Sequence, residues 1–191
     1  ATGRFGARYV TSEASFAIAS HAAIDAWAEQ ESGCDAVLLA CFGDPGLFAL
    51  RELSPVPVVG LAEASMQAAA QHSPRFSIVT GGPRWAPMLE RLALTLGFSD
   101  RLAGVRAIEI TGGQASADPQ RTVAALAQAC KDAQAQDGAQ AVILGGAGFA
   151  GFAALCAPYV ADAGIAVIDS VIAGAKAAER LALGAPCPYT R

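Results

Sequence analysis

Two rhythms of apolar spacing run along this chain and alternate with each other. Short apolar runs rich in β-branched residues read as strands, and longer Ala-rich stretches with apolar residues at helical spacing read as helices. The first helix is predicted from Ser12, a capping residue, to about Ser32, with Gly33 stopping it. Asp35 to Phe42 reads as a strand buried on both faces, followed by a short helix from Gly46 to Leu53. Pro57–Gly60 is a strand, Leu61 to Gln71 a helix, and Phe76–Thr80 a strand ending in Gly81-Gly82. Pro83 opens the next helix, where its missing N–H costs nothing, and Gly97 closes it. Val105 to Ile110 is a strand. Asp118 caps a long helix reaching about Gln136. Strands at Ala141–Leu144 and Ile165–Ile168 are each followed by a helix, Phe149 to about Ala163 and Val171 to Leu183. Strands that alternate with helices predict an α/β fold with parallel sheets and right-handed crossovers.

Within this order lies a near-repeat. Asp35-Ala-Val-Leu-Leu-Ala-Cys41-Phe-Gly-Asp-Pro-Gly46 and Gln140-Ala-Val-Ile-Leu-Gly-Gly146-Ala-Gly-Phe-Ala-Gly151 are both apolar runs breaking into a Gly-rich turn before a helix. Cys41 of the first copy corresponds to Gly146 of the second. The likeness extends to Val56–Val59 and Ile165–Ile168, each with a helix behind it, which fits either an internal duplication or the chance likeness of short strand–helix units. Ligands of parallel sheets sit beyond the carboxyl ends of the strands. Cys41, Thr80, Gly146 and Asp169 all fall at such ends, so Cys41 and Gly146 are expected to face one cleft.

Composition narrows the class. With 53% hydrophobic and 16% charged residues the chain is globular, and a net charge of −4 without a basic cluster argues against a nucleic-acid partner. Gly, Pro or charge interrupts every apolar run before the ~18 residues of a membrane span. Five cysteines without a CxxC pair point to a reducing, cytoplasmic setting. His21 and His72 both fall in predicted helices, and no metal site is expected. The chain opens without an initiator Met, a signal peptide or a first strand, so its true N-terminus is expected to lie upstream.

Cys41 leads the candidate chemistry. A thiol at a strand end, beside a Gly-rich turn and a helix start, meets N–H dipoles that favour the thiolate, able to act as nucleophile or as base toward an acidic C–H. The alternative is a small buried hydrophobe. Cys34, Cys130, Cys156 and Cys187 read as packing or surface residues. The turns Phe42-Gly43 and Gly146-Ala147, and Thr80-Gly81, either offer donors to an enolate oxygen or merely turn the chain. None is a Walker or dinucleotide fingerprint. Asp44 and Glu63 either orient a polar substrate or cap helices.

These motifs carry a resemblance. Cys34-Asp-Ala-Val-Leu-Leu-Ala-Cys41-Phe-Gly-Asp-Pro-Gly46-Leu47 with Val56-Pro-Val-Val-Gly-Leu-Ala-Glu63-Ala64 resembles the hydantoin racemase branch of the aspartate/glutamate racemase superfamily. Phe5-Gly-Ala-Arg-Tyr9, Ser77–Thr80 ahead of Pro83-Arg84-Trp85, and Ala141-Val-Ile-Leu-Gly-Gly-Ala-Gly148 are similar too. The resemblance implies two pseudo-symmetric lobes, each a parallel sheet flanked by helices, with the active site in the cleft between them. Residues 1–64 with 171–191 would form the first lobe and 65–170 the second, the family's opening strand–helix–strand and Asn-Pro-Asn loop being absent. It implies a cofactor-independent racemase of hydantoin- or allantoin-like small molecules, in a homo-oligomer, with one catalytic cysteine from each lobe. One thiolate takes the α-proton and the other thiol returns one to the opposite face. Cys41 fills the first position and Gly146 stands at the second; Phe42, Gly43, Thr80, Gly81 and Ala147 would bind substrate. A single thiol leaves two further readings: a decarboxylase of the arylmalonate type, or a relative that binds small molecules without catalysis.

Overall fold

The computed structural model describes residues 2–6, 9–30 and 33–186. Cys187 lies outside them, as do Ala7 and Arg8 of the opening motif. Helix α1 (Glu13–Ala28) begins at a capping box in which Ser12 and Ser15 satisfy each other's backbone N–H. It ends four residues earlier than the sequence reading, with Glu29 as its C-cap. Strand β1 (Val37–Leu39) is shorter than the apolar run that announces it, and pairs in parallel with β2 (Val58–Gly60). Between them runs the seven-residue helix α2 (Leu47–Leu53), and after them α3 (Leu61–His72).

The second sheet has four parallel strands, with β3 (Phe76–Gly81) and β5 (Ala141–Gly145) inside and β4 (Leu102–Ile108) and β6 (Ala166–Asp169) outside. Period two explains its sandwich. Val79, Val142 and Leu144 face one core with Leu126, Cys130, Ala133 and Cys156. Phe76, Ile78, Ala141 and Ile143 face the other with Leu61, Met66 and Leu89. The first core is closed by α6 (Pro119–Asp137), started by Asp118 accepting from Arg121 N, and by α7 (Phe152–Val160). The second is closed by α3 and by α4 (Trp85–Thr95). Full burial of side chains such as Phe76, Ile78 and Leu89 contributes roughly 1.5–3 kcal/mol each.

Other stretches differ from the sequence reading as well: β4 runs from Leu102 to Ile108 rather than from Val105 to Ile110, and α4 starts at Trp85 rather than Pro83. Helix α7 starts at Phe152 rather than Phe149, because Gly151 sits at φ 84 and Ala147–Phe149 forms a separate 3-10 turn. A short helix α5 (Gly112–Ala115), capped by Thr111 and Gln114, follows β4. Helix α8 (Ser170–Ala182) packs on α3 and against β1 and β2, joining the two sheets.

Candidate active site

The carboxyl ends of β1, β3 and β5 open on one cleft of about 840 Å³. That is ample for a small ligand. Cys41, Phe42, Thr80, Gly81, Gly146 and Ala147 all line it, and so do Tyr9, Trp85 and the Gly112-Gly113 pair. Gly43 faces instead a smaller hollow beside α2 and α4.

The two Gly-rich turns are packed together. Phe42 is buried, and its ring lies over Gly145 so closely that a Cβ there would collide with it. The residue after Cys41 therefore touches the residue before Gly146, which brings the two strand ends of the near-repeat into one cleft. Thr80 supports the same wall by donating its hydroxyl to the Gly145 carbonyl at 2.8 Å. Gly146 has φ 140, in the region that favours glycine. A Cβ placed on it would meet only the Phe149 ring, at 3.4 Å. Farther along, Gly112 and Gly148 cross backbone to backbone: a Cβ on Gly112 would come within 2.9 Å of the Gly148 Cα.

Electrostatics correct one expectation. The Cys41 thiol is not eased toward its thiolate. Burial pushes it up to about 11, and the neighbouring Asp44 carboxylate adds to the rise. The helix start invoked from the sequence begins only at Leu47, six residues on. Asp44 holds a rare left-handed backbone (φ 54) and is buried, with its own N–H bonded to the Cys41 carbonyl at 3.0 Å. Its carboxylate accepts from Ala62 N at 2.8 Å and Glu63 N at 2.9 Å, so it caps α3 rather than facing the cleft. Burial nevertheless raises its carboxyl to about 7, against those two bonds. Glu63 is engaged by Arg51 in a forked ion pair. Cys130 and Cys156 are buried in the core, as read from the sequence.

Tyr9 escaped the sequence reading as a site residue. Its hydroxyl donates to the Gly81 carbonyl at 2.8 Å and it lines the cleft. The signal was its place in the opening motif ahead of α1. Gly112 and Gly113 escaped as well, although Thr111-Gly-Gly-Gln114 spells a capping box.

The family model for Asp/Glu/hydantoin racemases matches residues 1–178. The chain belongs to this family. Hydantoin racemase of Rhizobium meliloti is 41% identical over 156 residues, covering 82% of this chain and 63% of that protein. The chain thus spans less than two thirds of that curated relative's length. Among solved structures, allantoin racemase from Pseudomonas fluorescens superposes with a TM-score of 0.88 at 28% identity, over 100% of this chain and 85% of that one. Allantoin racemase from Klebsiella pneumoniae gives 0.83 at 34% identity, over 96% and 74%. The parallel sheets and helical layers of the chain agree with the two-lobed fold expected of an Asp/Glu/hydantoin racemase.

Proposed function

We propose that the protein is a cofactor-independent racemase of small, five-membered cyclic amides of the hydantoin or allantoin type. The carrying observation is the Cys41 thiol at the end of β1, in a cleft whose other wall is the Gly146 turn, the two joined by the Phe42–Gly145 contact. The hydantoin C5–H is acidified by its flanking carbonyl and nitrogen, and its removal places charge on an enolate oxygen. Cys41 in its thiolate form takes the proton as general base. Backbone N–H groups of Phe42 and of the turn at Gly146-Ala147 serve the enolate oxygen. The high thiol pKa matches the base to a weakly acidic carbon and makes the exchange rate rise toward alkaline pH.

Gly146 stands where the family resemblance puts the second cysteine, so this reading assigns the chain one thiol at its centre. The experiment is solvent exchange. A 5-substituted hydantoin incubated in D2O with the protein should acquire deuterium at C5 and lose optical activity. Absence of both, with the ligand bound, would leave a binding protein; deuterium found only in the product of an arylmalonate would make it a decarboxylase.

A further inference from the structure

A racemase needs a proton-transfer group on each face of the carbanion, and Gly146 carries none. Among the described residues that line the cleft, the protic side chains are those of Thr2, Arg4, Tyr9, Trp27, Cys41, Thr80 and Trp85. Arg4 is tied to Asp25 and Glu29, the indoles and aliphatic alcohols are far weaker acids than a phenol, and the Thr80 hydroxyl is buried besides. Tyr9 differs in where its oxygen sits. It is bonded to Gly81, at the end of β3, the strand paired with β5 through Thr80 and Gly145. It is therefore held at the second sheet's end of the cleft, while Cys41 stands at the first sheet's end.

We propose that Tyr9 is the second proton-transfer residue, acting on the face of the substrate opposite Cys41; this rests on the racemase reading above. The step balances. The Cys41 thiolate takes the C5 proton and becomes a thiol, the electron pair passes to the enolate, and the Tyr9 phenol delivers its proton to the other face and becomes a phenolate. For the opposite enantiomer the same two transfers run in reverse. The surroundings of the phenol suit this exchange. Trp85 donates a hydrogen bond that favours the phenolate, whereas burial first and the Cys41 charge last hold the group protonated at neutral pH. The phenol and thiol thus feel one another's charge, and burial raises the proton affinity of both. The space a second thiol would fill beside Gly146 is open except for the Phe149 ring.

The test follows C5 deuteration and configuration separately for the two enantiomers of 5-benzylhydantoin in D2O. Tyr9→Phe keeps the ring and should slow inversion roughly 10²–10⁴-fold, the range for loss of a positioned proton-transfer group. The enantiomer whose C5–H faces Cys41 should still exchange, now with retention. In the protein with its tyrosines replaced by 3,5-difluorotyrosine, the pH profile of inversion should move down with the phenol pKa, a shift that a purely structural tyrosine does not produce. Inversion by Y9F at the parent rate, or an unmoved profile in the fluorinated protein, would overturn the assignment alone. Failure of the parent protein to exchange either enantiomer would overturn the racemase reading and this assignment with it.

Discussion

The unit β1–α2–β2–α3 and the unit β5–α7–β6–α8 solve one problem in two ways. Their registers superpose: Val37 pairs with Val58 as Val142 pairs with Val167, and Leu39 with Gly60 as Leu144 with Asp169. At the final pair the residues diverge. In the second unit Asp169 ends the strand and its carboxylate accepts from Val171 N and Ile172 N, opening α8, and from Gly151 N of the turn. In the first unit the strand ends in Gly60, and the carboxylate comes from Asp44 in the turn itself. It reaches Ala62 N and Glu63 N, the corresponding amides of α3. A Cβ on Gly60 would collide with that carboxylate. The carboxylate's position is kept while its origin in the chain moves, because what the fold needs is an acceptor for two orphan N–H groups of a helix. The move also fastens the Cys41 turn to α3 through a side chain of its own.

Removing the one chemical group that has no counterpart in the second unit should have the largest effect. Cys41→Ala should reduce C5 exchange of the hydantoin enantiomer facing it by roughly 10²–10⁴-fold, measured by NMR. An unchanged rate would remove the distinction between the two strand ends. Next comes Gly60→Ala, which should cost about 1–3 kcal/mol or more in denaturant unfolding by displacing the Asp44 cap. Gly60→Asp combined with Asp44→Gly transplants the second unit's solution into the first. It should recover stability relative to Gly60→Asp alone, and failure to do so would break the equivalence of the two units.

A smaller effect concerns pH. The Asp44 carboxyl is raised from 3.8 to about 7 in the folded protein. Between those values the folded state keeps a proton that the unfolded state has lost. Stability should therefore fall as pH climbs from about 4 to about 7 and level off above. Asp44→Asn should remove that slope from unfolding curves taken across this window. The smallest effect is kinetic. Iodoacetamide should label Cys41 slowly at neutral pH, with a rate climbing toward about 11, as followed by mass spectrometry of the Cys41 peptide. Rapid labelling at pH 7 would restore the thiolate expected from the sequence.

Much of this was legible beforehand. Strands such as Phe76–Gly81 and Ala141–Gly145 declare themselves through unbroken apolar runs, and Asp118-Pro119 marks a helix start by the chemistry of its cap. The paired motifs at Cys41 and Gly146 were visible as a repeat. What stayed hidden depends on contacts far apart in the chain. Nothing near Asp44 tells that its partners are the amides of Ala62 and Glu63, and the burial of Cys41 itself, with the Asp44 charge beside it, turns the thiol pKa upward instead of downward. Tyr9 meets Gly81 across seventy-two positions, which local periodicity cannot register.

The crossing of Gly112 and Gly148 has a consequence for anyone who would reshape the cleft. With no side chain on either, the two main chains rest directly against each other, and the turn that carries Gly146 shares its freedom with the loop entering α5. A library that varies one of these positions alone explores mostly collisions. The chain's own descendants face the same inheritance: this corner is reachable by mutation only through paired changes, and it should drift more slowly than the helices around it.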